Sequence, residues 1–331
     1  MAKYKLLSLT LLLAVLITFA ASGVFSNPAV CVFAEEEKIS EPGLAKHIVL
    51  SDGTQVDETS LSAGDEIRFV LESNVPEDLP VYTQYYLTFR DEMDAAMEMD
   101  VSSLCVKVNG SQLSTGDYEF VLSYGGGENT LFSVRLDLID LYSTGGFFSE
   151  SELGLAPITV EYTAQLKQNV QPGSCRNRAW VEYENGKTPE STVIINTYGL
   201  KIIKHADGER SYGLKGARFE VYRMLGGQKI IVADDLVSDE NGCVEISGLA
   251  AGSYFIREKA APEGYAMNPM PIRVEVGEEL EMPIVTVYVP NVFINKPVNT
   301  GSMAFLGIGA LMIISGGLVM GTLCRKKKTT L

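Results

Sequence analysis

Two lysines lie in phase with apolar residues in segments that alternate like β-strands, and a buried lysine can do chemistry. Lys46 has the parity of Leu44 and Ile48, and Lys204 has the parity of Ile202. Alternate residues of a strand point to the same face, so both lysines are expected to point inward. An amine among apolar side chains loses its proton because desolvation disfavours the charge, and it then becomes a nucleophile.

Carboxyl and amide side chains share this inward parity in other predicted strands. Asp91 follows Leu87 and Phe89 in phase, which makes it the natural partner of Lys46. The other side chains in phase with apolar strand residues are Glu258, the earlier asparagines Asn177 and Asn185, and the last-strand asparagines Asn291 and Asn295. Of the last two we favour Asn291, because it directly follows a valine run and leaves a spacer before the C-terminal segment.

The C-terminal segment combines a Thr-Gly bond with a membrane-length apolar run and a basic end. Residues 297–301 are Pro-Val-Asn-Thr-Gly, residues 303–323 are uncharged, and residues 325–328 are Arg-Lys-Lys-Lys. The uncharged run predicts a transmembrane helix, and the basic end holds the C-terminus in the cytoplasm. A plain tail anchor would need no more than these last two parts.

The whole arrangement resembles the sorting signal of sortase substrates, which is usually written Leu-Pro-x-Thr-Gly. Asn299, Thr300 and Gly301 fit its second half, whereas Pro297 and Val298 stand where Leu and Pro normally stand. Some pilus-class sortases accept valine at the second position, so the departure concerns which sortase acts. The resemblance implies that a sortase cysteine attacks the Thr300 carbonyl and that the chain from Gly301 onward is discarded.

The N-terminal segment, residues 1–34, has the composition of a secretory signal peptide. Lys3 and Lys5 precede an apolar run at 6–21, and Val-Phe-Ala at 32–34 offers a small-residue cleavage site before three glutamates. We expect cleavage after Ala34. The alternative is an uncleaved N-terminal anchor, which the short apolar run disfavours.

Charge, histidine and cysteine content argue against several classes of function. The formal net charge of −15 argues against binding to nucleic acid or anionic lipid. The two histidines, His47 and His205, are too isolated for a zinc site or a catalytic triad, and we expect both to be solvated. Cys105, Cys175 and Cys243 have no metal-like or redox-like spacing, although the first two could pair if their strands are neighbours. We expect no metal and no cofactor.

Between the two ends, short alternating runs are separated by turn signals. Asn-Gly or Asp-Gly pairs occur at 52–53, 109–110, 185–186, 207–208 and 241–242. This pattern predicts an all-β protein built from β-sandwiches. Residues 91–99 do not alternate, which favours a short helical crossover there. The length suits two domains with a boundary at 197–199.

The second block, residues 198–296, contains a series of recognisable motifs. Leu-Lys-Ile-Ile-Lys at 200–204 leads to Leu-Lys-Gly-Ala-Arg-Phe-Glu-Val-Tyr at 214–222, and Asp-Glu-Asn-Gly follows at 239–242. Gly-Leu-Ala-Ala-Gly-Ser-Tyr at 248–254 and Ile-Arg-Glu-Lys-Ala-Ala-Pro-Glu-Gly-Tyr at 256–265 complete the series. The series resembles the Cna B-type, or SpaA-like, prealbumin domain of Gram-positive pilins and adhesins.

The first block, residues 45–197, is a longer and looser match. It contains Lys-His-Ile-Val at 46–49, Leu-Ser-Ala-Gly-Asp-Glu-Ile-Arg-Phe at 61–69, Leu-Thr-Phe-Arg-Asp at 87–91 and Asn-Arg-Ala-Trp-Val-Glu-Tyr at 177–183. These motifs resemble the isopeptide-forming domain of fimbrial backbone proteins. Both blocks are therefore expected to be Ig-like or prealbumin-like β-sandwiches.

The resemblance implies an autocatalytic cross-link inside each domain. A lysine amine attacks an asparagine side-chain carbonyl, a protonated carboxylic acid polarises that carbonyl, and ammonia leaves. The lysine, acid and asparagine are expected to be Lys46, Asp91 and Asn177 in the first domain and Lys204, Glu258 and Asn291 in the second. Asn185 and Asn295 remain the alternative asparagines.

These features predict a secreted structural subunit of a pilus, or another wall-anchored surface protein, of a Gram-positive bacterium. Its expected partners are a sortase and, through covalent bonds, other pilin subunits or peptidoglycan. Shaft pilins of this family usually carry a Tyr-Pro-Lys motif for polymerisation, and this triplet is absent from the sequence. A non-polymerising adhesin that binds a host or matrix ligand is therefore the alternative. Two sandwiches leave no room for a catalytic domain, so we expect no enzyme beyond the autocatalytic cross-linking.

Overall fold

The computed structural model describes residues 41–124, 129–144, 146–184, 186–277 and 282–294. They belong to two compact units. The first comprises residues 41–59, Gly64–Lys167 and Cys175–Ile195, and the second comprises Ser60–Ala63, Gln168–Ser174 and residues 196–294. Within the described ranges the helices are short, namely α1 (Leu138–Ser143) and two 3-10 turns, Leu79–Val81 and Glu150–Glu152. The prediction of an all-β fold is confirmed.

The first unit has two layers of strands. Its strands are β1 (Ala45–Val49), β2 (Gln55–Val56), β3 (Glu58–Ser60), β4 (Glu66–Asn74), β5 (Tyr86–Met93), β6 (Met97–Val108), β7 (Ser111–Gln112), β8 (Tyr118–Tyr124), β9 (Thr130–Asp137), β10 (Pro157–Leu166), β11 (Gly173–Tyr183) and β12 (Gly186–Lys187). One layer has the order β2-β1-β4-β10-β6-β7. The other has the order β11-β5-β9-β8, with β12 paired to β11.

The core of the first unit lies between these layers. Buried and less buried residues alternate along β5 and β10, as expected for strands with one covered face. Phe132 on β9 and Tyr162 on β10 contact each other edge to face across the layers, with ring centroids 5.0 Å apart. Burial of each such ring contributes about 2–3 kcal/mol to folding.

The predicted helical crossover at 91–99 is wrong. Strand β5 runs to Met93 and strand β6 begins at Met97, and they are joined by a turn in which the Met97 N–H donates to the Asp94 carbonyl at 3.0 Å. Met97 and Met99 are both buried, two residues apart. The burial period is therefore that of a strand, and methionine fits either structure because its side chain is unbranched and adaptable.

The second unit also has two layers. Its strands are β13 (Ser191–Ala206), β14 (Glu209–Gly213), β15 (Arg218–Leu225), β16 (Gln228–Val237), β17 (Cys243–Leu249), β18 (Gly252–Ala260), β19 (Ile272–Val276) and β20 (Ile284–Asn291). Strands β14, β17 and β20 pair with β13, and the facing layer has the order β16-β15-β18-β19. Strand β13 begins in the first unit and ends in the second.

The pairing of β13 with β20 is parallel and continues from Gly199, opposite Ile284, to Ala206, opposite Asn291. The last described strand therefore lies directly beside the strand that opens this unit. Inward residues of both layers form one apolar cluster, which includes Leu200, Ile202, Phe219, Val221, Tyr254, Ile256 and Val289.

Three further expectations concern single residues and the chain ends. Cys105, Cys175 and Cys243 are free, and the first two lie on β6 and β11, which belong to different layers. His205 is buried rather than solvated, and its ring lies beside that of Tyr288. Among the described residues no helix is long and apolar enough to cross a membrane. The predicted signal peptide (1–34) and transmembrane segment (303–323) lie outside the described residues.

Candidate functional site

The Lys46 cluster consists of Lys46, Asp91, Tyr162 and Asn177 and lies between the layers of the first unit. Lys46 on β1 and Tyr162 on β10 come from one layer, and Asp91 on β5 and Asn177 on β11 come from the other. All four residues are at most 1% exposed. Strand alternation turns them inward together with their apolar neighbours.

The contacts of this cluster bring an amine, an amide carbonyl and an acid together. Lys46 Nζ lies 2.6 Å from Asn177 Oδ1, forms an ion pair with Asp91 Oδ2, and is 3.3 Å from the Tyr162 hydroxyl. The Tyr162 hydroxyl donates to Asp91 Oδ2 at 3.0 Å and accepts from Asn177 Nδ2 at 2.6 Å. Asp91 Oδ1 has no hydrogen-bond partner within the described part of the chain. The Lys46 amine and the Asn177 side-chain carbonyl are therefore in direct contact.

Burial changes the proton affinities of this cluster. It lowers the pKa of Lys46 to about 8, although the Asp91 carboxylate acts in the opposite direction. The same burial raises the pKa of Asp91, against the effect of Lys46 and of the hydrogen bond from Tyr162. Because the two pKa values move toward each other, transfer of a proton from lysine to aspartate becomes easier.

The Lys204 cluster consists of Lys204, Glu258 and Asn291 in the second unit. Lys204 on β13 and Asn291 at the end of β20 lie on neighbouring parallel strands, and Glu258 comes from β18 in the facing layer. Lys204 is fully buried, Asn291 is 2% exposed and Glu258 is 5% exposed.

The contacts of the Lys204 cluster involve the same three functional groups. Lys204 Nζ donates to Asn291 Oδ1 and lies 3.2 Å from Glu258 Oε1. Asn291 Nδ2 donates to Glu258 Oε1 at 2.8 Å, and the backbone N–H of Asn268 donates to Glu258 Oε2 at 2.7 Å. Burial lowers the pKa of Lys204 to about 8, against the effect of Glu258. Burial therefore makes the Lys204 amine easier to deprotonate than an exposed lysine.

The structure thus brings together the members of both triads named from the sequence. The lysine and asparagine are 131 residues apart in the first cluster and 87 apart in the second. The alternative asparagines Asn185 and Asn295, and the sorting residues Thr300 and Gly301, lie outside the described residues. In the described part of the chain, no group of three or more His, Cys, Asp or Glu side chains could hold a metal ion.

Sequence reasoning missed Tyr162, which contacts all three other members of its cluster. The available signal was its parity with Val160 and Ala164 on β10, both buried. A tyrosine in phase with apolar residues is typical of an ordinary core position, so the signal did not distinguish it.

Residues 199–288 match the SpaA family model, which is described as a prealbumin-like fold domain. The resemblance of the second block to SpaA-like domains is confirmed in these residues. They include Lys204 and Glu258, whereas Asn291 lies just beyond them.

Solved structures of pilins share the fold of the wider chain. The pilus 2b backbone protein of group B streptococcus is 21% identical, with a TM-score of 0.58 over 75% of this chain and 98% of that one. The major pilin SpaA of Corynebacterium diphtheriae is 19% identical, with a TM-score of 0.58 over 77% of this chain and 69% of that one. These likenesses define the fold as that of Gram-positive major pilins.

One known protein is similar in sequence over a shorter stretch. The collagen adhesin of Staphylococcus aureus is 23% identical over an alignment of 212 residues that covers 56% of this chain and 17% of the adhesin. This chain therefore corresponds to a small part of that protein.

Proposed function

We propose that this chain is a structural subunit of a Gram-positive pilus, or another wall-anchored surface protein, stiffened by one Lys-Asn isopeptide bond in each of two domains, 45–197 and 198–296. The observation that carries the proposal is the buried contact of 2.6 Å between Lys46 Nζ and Asn177 Oδ1, beside the Asp91 carboxyl. The Lys204 cluster supports it, because the same three functional groups meet again on different strands.

The proposed reaction needs no cofactor. The neutral amine of Lys46 attacks the side-chain carbonyl carbon of Asn177, and a new N–C bond forms. The bond from that carbon to Nδ2 then breaks, and Nδ2 leaves as ammonia after gaining one proton. Asp91 takes a proton from Nζ and supplies one toward the leaving group. Each domain reacts once, so the chain is a self-modifying structural protein and not an enzyme.

Attachment is proposed to follow the sorting signal. After export and removal of residues 1–34, a sortase would cut between Thr300 and Gly301 and join Thr300 to an amine of another pilin subunit or of peptidoglycan. The protein would then be held on the cell wall or pilus. The structure of the Corynebacterium diphtheriae pilin was described in terms of modular pilus assembly and stabilising isopeptide bonds, and the shared fold favours the same role here.

A non-polymerising adhesin is the second candidate. The partial likeness to a collagen adhesin and the absence of a Tyr-Pro-Lys triplet both favour it. The cross-links would serve this role equally well, because a tether that holds a cell against flow also bears tension.

The intact mass of a chain of residues 35–300 tests the cross-linking. We expect the parent to be lighter than its sequence by two ammonia molecules, and Lys46→Ala and Lys204→Ala to be lighter by one each. The matched control is Lys201→Ala, since Lys201 lies on β13 with the opposite parity and pairs with the exposed Glu245. This control should keep the full deficit. A folded parent with no mass deficit would contradict the proposed chemistry.

A further inference from the structure

The two clusters connect their acid to the asparagine amide in different ways. In the Lys204 cluster, Asn291 Nδ2 donates directly to the acid, at 2.8 Å from Glu258 Oε1. In the Lys46 cluster, Asn177 Nδ2 donates to the Tyr162 hydroxyl at 2.6 Å, and that hydroxyl donates to Asp91 Oδ2 at 3.0 Å. A phenol thus stands between the acid and the nitrogen that has to leave.

The two acid side chains also differ in length. Aspartate is one methylene shorter than glutamate, and the Tyr162 hydroxyl occupies the extra distance to the amide. Asp91 Oδ1 has no hydrogen-bond partner among the described residues, so the described contacts of this carboxyl with the reacting groups run through Oδ2. The hydroxyl is therefore the one described bridge from Asp91 to Asn177 Nδ2.

We propose that Tyr162 is a catalytic residue of the first cross-link and relays a proton from Asp91 to the departing amide nitrogen of Asn177. This inference rests on the proposed isopeptide function and adds a residue to it. The second cross-link needs no such relay, because Glu258 contacts the leaving nitrogen itself.

The relay conserves protons and electron pairs. Lys46 enters as a neutral amine and Asp91 as a neutral acid. As the Nζ–C bond forms, Tyr162 gives its hydroxyl proton to Nδ2 and receives the proton of Asp91. The C–Nδ2 bond breaks with its electron pair on nitrogen, ammonia leaves, and the Asp91 carboxylate removes the extra proton from Nζ. Tyr162 and Asp91 end as they began.

The two proton movements at the hydroxyl have to be concerted. Burial raises the pKa of Tyr162 well above its ordinary value, and the nearby Asp91 carboxylate acts in the same direction. A free phenolate is therefore strongly disfavoured, so the hydroxyl can lose a proton only while it gains one.

The variant Tyr162→Phe tests the relay. It removes the hydroxyl and keeps the ring, which packs against Phe69 and Phe132 at centroid distances of 5.1 and 5.0 Å. Chains of residues 35–300 are recovered unfolded and unreacted, refolded by dilution, stopped with acid at intervals and digested. Mass spectrometry then measures the Lys46–Asn177 and Lys204–Asn291 cross-linked peptides separately. We expect the first rate to fall on the order of 100-fold and the second to stay unchanged.

Two controls separate chemistry from packing. Phe132→Leu disturbs the ring contact but keeps the hydroxyl, and it should retain the first rate within a few-fold. Lys46→Ala cannot form the first bond, so its melting temperature with and without Tyr162→Phe gives the structural cost of the missing hydroxyl. The cross-linking rates are then compared at a temperature at which both of these Lys46→Ala chains remain folded.

Three results would count against the inference in distinguishable ways. A Tyr162→Phe chain that forms the first bond at the parental rate overturns the relay. Equal slowing by Phe132→Leu and Tyr162→Phe also overturns it, since packing would then be the cause. A parent chain that never yields the Lys46–Asn177 peptide contradicts the proposed function itself.

Discussion

At the scale of single residues, each cluster buries a lysine whose charged form is costly to remove from water. A buried ammonium is costly unless a carboxylate accompanies it, and a Lys-Asp or Lys-Glu pair stays neutral overall whether the proton sits on nitrogen or on oxygen. In the proposed reaction, the ion pair of Lys46 and Asp91 is the resting form, and the neutral amine with a protonated Asp91 is the reactive form. Both forms bind the same number of protons, so pH does not shift the balance between them while the pair holds one shared proton.

This coupling predicts a bell-shaped pH dependence for formation of the Lys46–Asn177 bond. The pKa of Lys46 is lowered to about 8, so above that pH the pair loses its shared proton and the rate should fall about tenfold per pH unit. On the acid side, Asp91 takes up a second proton in the presence of the lysine cation, and the rate falls again. Refolding time courses of residues 35–300 at a series of pH values on both sides of about pH 8 measure how the rate of bond formation depends on pH. A rate that keeps rising from about pH 8 to 10 would contradict the shared-proton mechanism.

At the scale of secondary structure elements, the two units bring lysine against asparagine by different strand geometries. The first cluster links two layers, and the second links parallel neighbours within one layer. The enclosed loops span 131 and 87 residues. Because loop-closure entropy depends only on the logarithm of length, the chain-entropy account would assign each proposed bond about 5 kcal/mol of stabilisation.

The variant Asn291→Ala tests the stability assigned to the second bond. It removes the amide carbonyl that Lys204 would attack, keeps the buried Lys204–Glu258 ion pair and should leave the second unit without its cross-link. The melting temperature of the second unit should then fall on the order of 20–30 °C, since about 1 kcal/mol corresponds to several degrees in a domain of this size. Calorimetry measures the fall in melting temperature. The control is Glu245→Gln, which removes the acid of an exposed ion pair with Lys201 in the same unit. Loss of the cross-linked peptide without a lower melting temperature would show that the bond adds no thermal stability.

Some features of these strands could be predicted from the sequence alone, and others could not. Period-two alternation was sufficient to predict the β-class and the inward parity of Lys46 and Lys204, because parity is local. The same reasoning failed at Met97, where an adaptable side chain obscures the period. Layer membership and the parallel pairing of β13 with β20 depend on partners far along the chain, and local patterns carry no information about them. Tyr162 was missed for the same reason, since only the layering brings β10 to Asp91 and Asn177.

At the scale of the whole molecule, the two described units lie in the sequence between a predicted signal peptide and a predicted sorting signal. The formal net charge of −15 suits a protein that stays dissolved outside the cell until it is captured. Thr300 follows the second domain in the sequence, so attachment at Thr300 would be nearer to the second domain than to the first along the chain.

The sorting hypothesis predicts that Thr300→Ala keeps the protein in the membrane fraction. The full-length chain is expressed in a Gram-positive host with a pilus-class sortase, and wall and membrane fractions are separated. The parent should be wall-linked, as a ladder of polymers for a shaft pilin or as a single species for an adhesin. Asn299→Ala is the matched control, because that position tolerates any residue in the family motif. Wall-linked Thr300→Ala protein would contradict sorting at this bond.

The course of strand β13 has a consequence for stretching. With both bonds in place, tension between residues 41 and 294 enters at Lys46, crosses to Asn177, follows the backbone to Lys204 and crosses to Asn291. Residues 47–176 and 205–290 are shielded from it. At about 3.6 Å per residue, the load-bearing segment 177–204 can extend to about 100 Å, against about 900 Å for the unlinked chain from 46 to 291. Insertions in shielded loops would leave this reach unchanged, whereas each residue inserted between β12 and β13 would lengthen it.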